Sequence, residues 1–589
     1  MNTAQTSAPR DSAPINVELR HGAPTPADLY LDGKRLSDHL GWDETLACLD
    51  RAIERLFTYF RVAQDRPDKT PHDIFLFEGG WVYAKRDGLA GPVLWLFLLE
   101  QLRAALAHMP LSSVTIEGGL HVPAEFLTAA RDELDLDTPD PTGFPAHASA
   151  EVRNPRDRMG KWRFVARSVR RVALSRADPA LRAVRGHCLL ISASSLEKHR
   201  YGTLVADLQA QIGATTRIIG VRPKERPWAG DQGYAEGVIS PHRGGGPGAV
   251  VHAAWIGWRL WRRQRRLSPD MSRTDPVLAS MLRYRYPHLF HAALHALCVE
   301  RTVRRMRPLA FIRNGNYNTP DERRTNWACR RAGIPTVVVT PRSLSARMPA
   351  MPIDYTREQA SLPSGFVISD DHSRALLRDW GVPEAAIAAG SLEILADDDK
   401  PTADTGTDAA NRARDVGPAH ALILLDSPWI SAQMIRQILV ALPDPATPLL
   451  IRAHPLIPLS AQPEVVQALK GRNWEDVTGV LMRQVVRPDR TLAFSPCSGA
   501  GVDAVRCGAA LIWMPYLSSN APAHADAITS TGTVADGEAA LPRHVALLGD
   551  SARLAQAARA DRAVLRAAVT PTRTPLVDAV RALIAAQGS

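Results

Sequence analysis

Thr491–Pro515 reads TLAFSPCSGAGVDAVRCGAALIWMP. An apolar run, TLAF, leads into a loop of small residues, SPCSGAG. A helix-type stretch, VDAVRCG, follows, and a second apolar run, AALIWMP, closes the unit. Strand, loop, helix and strand in that order make a parallel crossover, the building block of an α/β sheet. The loop feeds the start of the helix, where free backbone N–H groups and the helix dipole favour an anion. Ser498, Gly499, Ala500 and Gly501 carry no bulky side chain, so their N–H groups can approach a ligand. Ser495 and Ser498 add hydroxyls, and Gly508 is placed to stop the helix. Two readings stay open: a tight junction that needs small residues to pack, and a cradle for a phosphate.

Upstream, PLLIRAHPLIP repeats the strand-to-loop transition. The apolar strand ends near Ile451, with Arg452 and His454 at its carboxyl end and Pro455 stiffening the bend. Ligands of open α/β sheets bind at the carboxyl ends of the strands. A cation and an imidazole there suit a phosphate, and in a parallel sheet they would face one cleft with the serine turn. Neither GxxxxGK[ST] nor GxGxxG occurs, which argues against a P-loop or a dehydrogenase fingerprint. HRGGGPGAV, His242–Val250, lacks a helix entry signal and reads as a flexible loop.

Working outward, Arg307–Thr340 reads strand, polar loop, helix, glycine, strand. HCLLISAS and RIIGV supply earlier strands, and DIFLF, the helix from Pro92 and SSVTIEGG form an N-terminal βαβα run. The expected organisation is a disordered tail over 1–25, an α/β extension over 26–150 with a Pro/Asp/Gly linker in 136–160, and a first Rossmann-like domain over 151–355. A second Rossmann-like domain follows over 356–542, taking in GFVIS and a mobile polar loop at 397–418. Helices are expected over 543–589. The fold class is α/β, two facing Rossmann-like domains with an N-terminal extension.

The 589 residues, 45% hydrophobic, suffice for about three domains. Lys and Arg number 71 against 61 Asp and Glu, a formal net charge of +10. This balance suits anionic partners. The six cysteines are scattered without CxxC or zinc spacing, which fits a reducing compartment. No apolar run approaches the roughly 20 residues of a membrane span, and the polar N-terminus lacks a signal-type apolar segment. The expectation is a cytoplasmic protein. Asp397–Asp399 lie in the polar loop and read as solvated, so no metal is expected. Trp255–Arg266 interleaves three tryptophans with five arginines. It reads either as a packing helix or as a helix that docks on an anionic membrane surface. No nucleic-acid motif accompanies it, and nucleic acid is not an expected partner.

Three of these segments carry a resemblance. Arg452-Ala453-His454-Pro455 is similar to a K/R-x-HP motif. SPCSGAGVDAVRCGAALIWMP is similar to a serine turn followed by EAxxxGxPVI, with Asp503 and Ala510 in place of Glu and Pro. NYNTPDERRTNWACRRAGIPTVVV is similar to NxxWExxxxxxARRxGIxTI. Over roughly 300–530 the chain resembles GT-B glycosyltransferases of bacterial surface-polysaccharide synthesis, in particular the surface carbohydrate biosynthesis group, capsule Kdo transferases, sialyltransferases and CDP-glycerol polymerases. The polymerases' HG after the GIxT strand is replaced by TPRS, Thr340–Ser343, which counts against a glycerol-phosphate reading.

The resemblance implies transfer of a sugar, an ulosonic acid such as Kdo or a sialic-acid relative, to a lipid-linked or oligosaccharide acceptor. The donor would be a nucleotide sugar, CMP-linked, with no further cofactor. The donor would be held by Arg452, His454, Pro455, Ser495, Ser498, Gly499, Ala500 and Gly501. Such a reaction needs no metal when protein dipoles and cations stabilise the leaving phosphate. Inversion needs a base. Glu322, beside Asp321, is the first candidate, with Glu78 and Glu117 as rivals before paired glycines; Asp370, Asp371 and His372 are further candidates near the hinge. The alternatives are a glycerol- or ribitol-phosphate transferase and a non-catalytic scaffold of the assembly complex.

Overall fold

The computed structural model describes residues 15–20, 28–31, 34–35, 40–64, 92–108, 113–117, 124–134, 136–137, 166, 169–170, 172–173, 185–192, 208, 210, 217–221, 238–239, 244–281, 286–314, 320–340, 344, 355–368, 370–390, 418–425, 428–442, 444–454, 457–480, 482–518, 521, 531–568 and 574–588. The chain divides into two compact units, Met1–Ala52 with Leu94–Asp157, and Ile53–Val93 with Arg158–Ser589.

The first unit holds a five-stranded sheet of β1 (Ile15–Arg20), β2 (Asp28–Leu31), β3 (Lys34–Arg35), β4 (Ser113–Glu117) and β5 (Leu136–Asp137), in the order β3-β2-β4-β1-β5. β1 runs parallel to β4 and β5, and β2 antiparallel to β3 and β4. The reading of 1–25 as a disordered tail is corrected over 15–20, the described part of that range: Ile15, Val17 and Leu19 alternate with polar residues, a two-residue period that suits a strand. The linker expected over 136–160 begins as β5. Helices α1 (Trp42–Gln64), α2 (Pro92–His108) and α3 (Ala124–Leu134) also occur here, with the boundary between units falling inside α1. The buried Glu100 of α2 is held by Arg103 at 2.5 Å and Arg51 at 3.4 Å. A charge fixed in this way inside an apolar helix suits protein packing rather than lipid. DIFLF lies outside the described residues.

The second unit contains two parallel sheets. One is formed by β6 (Cys188–Ser192), β7 (Arg217–Val221), β8 (Val238–Ile239), β9 (Ala310–Asn314), β10 (Thr336–Val339), β11 (Gly365–Ile368) and β12 (Ile387–Ala389). The other is formed by β13 (His420–Leu424), β14 (Leu449–Arg452), β15 (Trp474–Asp476), β16 (Thr491–Ser495), β17 (Ala510–Trp513) and β18 (Thr533–Val534). Their orders are β12-β11-β10-β9-β6-β7-β8 and β15-β14-β13-β16-β17-β18. Counted from its own first strand, each sheet reads 3-2-1-4-5-6, the Rossmann order, and the first adds a seventh strand. The domain boundary drawn at 355/356 is therefore corrected. GFVIS belongs to the first sheet, where Val337–Val339 pair with Gly365–Val367. Short all-apolar strands look alike in sequence, and only the pairing assigns them to a sheet.

The helices that matter below are α4 (Pro247–Thr274), α5 (Tyr286–Met306), α6 (Pro320–Arg331), α7 (Asp371–Asp379), α8 (Pro428–Ala441), α9 (Ala500–Arg506), α10 (Ser551–Ala568) and α11 (Leu576–Gly588). The Gly-rich stretch expected to be a flexible loop is a helix entry. Gly246 at φ 68° precedes α4, with Pro247 in its first turn. Arg301 and Arg305 of α5 donate to the carbonyls of Gly245 at 2.6 Å and Gly244 at 2.9 Å. A Cβ on Gly244 would stand 2.0 Å from Thr302 Oγ1, so the glycine is there for close approach. α4 and α5 pack together on the first sheet through Ala253, Ile256, Leu260, Ala293 and Leu297.

The C-terminal helices separate. α10 lies against β17, while α11 returns to the first sheet, burying Leu576, Val577, Val580 and Leu583 with Leu189, Ile312, Val337 and Val367. Two Rossmann-like sheets in series, with the last helix carried back to the first, make an α/β fold of GT-B type. Among the described residues no helix is long and apolar enough to cross a membrane.

Candidate functional site

In the second sheet the chain starts at β13 and builds outward through β14 and β15. It then returns to the other side of β13 for β16, β17 and β18. The strand order reverses between β13 and β16, and ligands of open α/β sheets bind outside the carboxyl ends at such a switch point. β14 and β16 both pair with β13. Their carboxyl ends, one carrying Arg452 and His454 and the other Ser495 and Ser498, therefore stand about 10 Å apart across one intervening strand.

The serine turn is built from its own hydrogen bonds. Ser495 ends β16 fully buried, and its Oγ accepts the N–H of Ser498 at 3.0 Å. Ser498 Oγ accepts from Ala500 N at 3.3 Å, and Gly501 N donates to Ser498 O at 2.8 Å. Three of the N–H groups expected to face an anion are thus already engaged within the turn, and α9 is a short helix of 7 residues. Gly501 is small for packing: a Cβ there would meet Trp513 Cη2 at 2.9 Å. Gly508, at φ 101°, ends α9, with its N–H on Val505 O and that of Ala509 on Ala504 O. Of the predicted turn residues, Ser495 and Gly501 are buried, while Ser498, Gly499 and Ala500 keep partial exposure.

At the end of β14, Arg452 is drawn inward. Its guanidinium donates to the carbonyls of Val477, at 3.4 Å, and Val480, bracing the loop after β15. Burial lowers its pKa, and the charge of Asp503 on α9 opposes that shift. The cation of one motif and the acid of the other therefore feel each other across the end of β13. Thr478 Oγ1 accepts from Ala453 N at 3.0 Å. His454 is half-buried, and its carbonyl accepts from Ile457 N at 2.8 Å, turning the chain away from the strand. Pro455 lies outside the described residues.

The candidate bases fare differently. Glu322 lies on α6, its side chain 13% exposed, with Oε1 3.5 Å from Nη2 of the buried Arg313 on β9. Arg313 Nη1 also donates to the Glu322 carbonyl at 3.2 Å. This pair fastens α6 to β9, with the Glu322 carboxylate facing a buried guanidinium. Asp321 is in the first turn of α6, with its side chain outside what is described, and Glu78 lies outside the described residues altogether. Glu117 ends β4, within the other unit. Asp370 caps α7 through Ser373 N at 2.7 Å, a structural duty, while Asp371 is exposed and His372 half-buried in the first turn. Among the described residues no three His, Cys, Asp or Glu side chains gather as a metal-binding group.

No protein-family model matches the chain, and no curated protein matches it. Solved structures do. A putative UDP-N-acetylglucosamine 2-epimerase from Listeria monocytogenes is 12% identical at a TM-score of 0.38, over 67% of this chain and 94% of that one. MurG from Acinetobacter baumannii is 11% identical at 0.37, over 68% and 99%. A trehalose-phosphate synthase (UDP-forming) from Burkholderia vietnamiensis is 10% identical at 0.36, over 69% and 100%. Scores at this level carry nothing about substrate or reaction.

Proposed function

We propose that the protein is a glycosyltransferase that holds a nucleotide-sugar donor at the switch point of its second sheet. The observation that carries this reading is the placement of His454 and the Ser498 turn on the two strands flanking β13, at the carboxyl edge where strand order reverses. The imidazole and the partly exposed Ser498 hydroxyl would contact the donor's phosphate. Arg452, braced on its loop, would act at one remove, as a fixed positive charge behind the site. Stabilising the leaving phosphate is the main demand on the protein in such a transfer.

The donor preferred here is CMP-linked and the sugar an ulosonic acid, on the motif resemblance over 300–530; the acceptor is a surface glycan, lipid-linked or free. No residue is assigned as the base. The test is donor turnover. Purified protein is incubated with CMP-, UDP- and GDP-sugars, with and without an oligosaccharide acceptor, and free nucleotide is measured. Acceptor-dependent release from one nucleotide class, lost in His454→Ala, is the expected result. Release from UDP-sugars alone would keep the transferase and replace the donor. No release from any donor, by protein that binds none of them, would overturn the reading in favour of a scaffold.

A further inference from the structure

We propose that the outward face of α4 docks the protein on an anionic lipid surface. The helix has two faces of opposite character. Ala253, Ile256 and Leu260 are buried against α5 and the first sheet. On the other side Val251, Trp255 and Trp258 are 72%, 46% and 45% exposed. Spacings of four and three residues put these three on one stripe.

Basic charge continues the stripe. Arg259 lies over the Trp255 ring at 4.7 Å, Arg262 over Trp258 at 4.8 Å, and Arg265 over Trp261 at 4.0 Å. From Pro247 to Leu267 the helix carries no Asp or Glu; the next acid, Asp270, stands 3.7 Å from Arg273. Among the described residues Arg259, Arg262, Arg265 and Arg266 form no ion pair, so their charge is available outward.

Indole rings settle at the headgroup level of a bilayer, and basic side chains beside them are drawn to anionic lipid. Exposed tryptophan at one end of a stripe and uncompensated arginine along it supply both halves of that interaction on one helix. A single-stranded nucleic acid fits less well, because Val251, the most exposed residue of the stripe, offers a base no ring to stack on but suits an acyl-chain boundary. The inference is independent of the reaction proposed above.

Flotation of the full chain with phosphatidylcholine vesicles, with and without a third of phosphatidylglycerol, tests it. Two variants accompany the wild type: Trp255→Ala/Trp258→Ala, and Arg259→Gln/Arg262→Gln/Arg266→Gln. All five side chains point to solvent, and circular dichroism checks that the helix content is kept. Expected are binding that requires phosphatidylglycerol, a loss on the order of 100-fold in the arginine variant, a clear loss in the tryptophan variant, and weakening by salt. Equal binding to both vesicles, no binding to either, retention by both variants, or displacement of the vesicles by a single-stranded oligonucleotide would each overturn it.

Discussion

The hydroxyl of Ser495 accepts the N–H of Ser498 at 3.0 Å, and this bond turns the chain off β16 into α9. Ser495 is fully buried while Ser498 is partly exposed, so two serines of one loop have separable duties. Ser495→Ala leaves the Ser498 N–H without its acceptor and is expected to lower stability by about 0.5–1.5 kcal/mol, as read by urea unfolding. Ser498→Ala is expected to cost under about 1 kcal/mol of stability yet to weaken nucleotide binding. Equal effects of the two on binding would show that the turn acts only as a packing joint.

Gly501 faces the six-membered ring of Trp513, itself buried and donating its Nε1–H to Thr531 O. An added methyl has nowhere to go: Trp513 Cη2 would stand at 2.9 Å and Leu511 Cδ2 at 3.2 Å. Gly501→Ala is expected to destabilise by about 1–3 kcal/mol, with a lowered urea midpoint and altered tryptophan fluorescence.

Arg313 and Glu322 pin α6 to β9 with side chains 6% and 13% exposed. Breaking such a pair from one side strands the other charge, so Glu322→Ala is expected to cost about 3 kcal/mol or more. Glu322→Gln keeps the shape and is expected to retain turnover. Loss of turnover at unchanged stability in Glu322→Gln would identify Glu322 as the base.

Two buried titratable groups give opposing pH dependences. Burial raises Asp561, whose carboxylate accepts from Leu511 N at 2.8 Å, from 3.8 to about 6. Its folded form holds a proton that the unfolded chain has lost, so stability falls as pH rises from about 4 to 6. Burial, helped by the charge of Arg487, lowers His420 from 6.5 to about 4. Here the unfolded chain takes up the proton first, so stability falls as pH drops from about 6.5 to 4. Each effect amounts to about 3 kcal/mol, and over the shared range they nearly cancel. Asp561→Asn is therefore expected to gain stability at pH 7 and to steepen the acid loss, while His420→Gln steepens the decline with rising pH. Urea midpoints at a series of pH values read both.

Local pattern carried much of this architecture. TLAFSPCSGAGVDAVRCGAALIWMP holds its strand, turn, helix and strand where the apolar runs and glycines place them, and the unit around NYNTPDERRTNWACRRAGIPTVVV does the same, with Gly333 at φ 72° closing its helix. What sequence could not supply was partnership. GFVIS pairs with β10 rather than opening the second sheet, and α11 leaves its neighbour α10 to cover the first sheet. Gly244, before α4, marks close approach to Thr302, not looseness. Arg452 was legible as a charge at a strand end, and Glu322 as an acid at a loop-to-helix transition. Their commitment to Val477, Val480 and Arg313 depends on contacts distant in sequence.

The most direct test of the switch-point site is calorimetric titration of CMP, CDP, UDP and GDP into the wild type and His454→Ala. The account predicts that one nucleotide class binds the wild type selectively and that the variant, with an unchanged urea midpoint, loses that binding at least about tenfold, or about 1.4 kcal/mol. Binding that survives intact in His454→Ala, or no binding of any nucleotide by folded wild type, would contradict it.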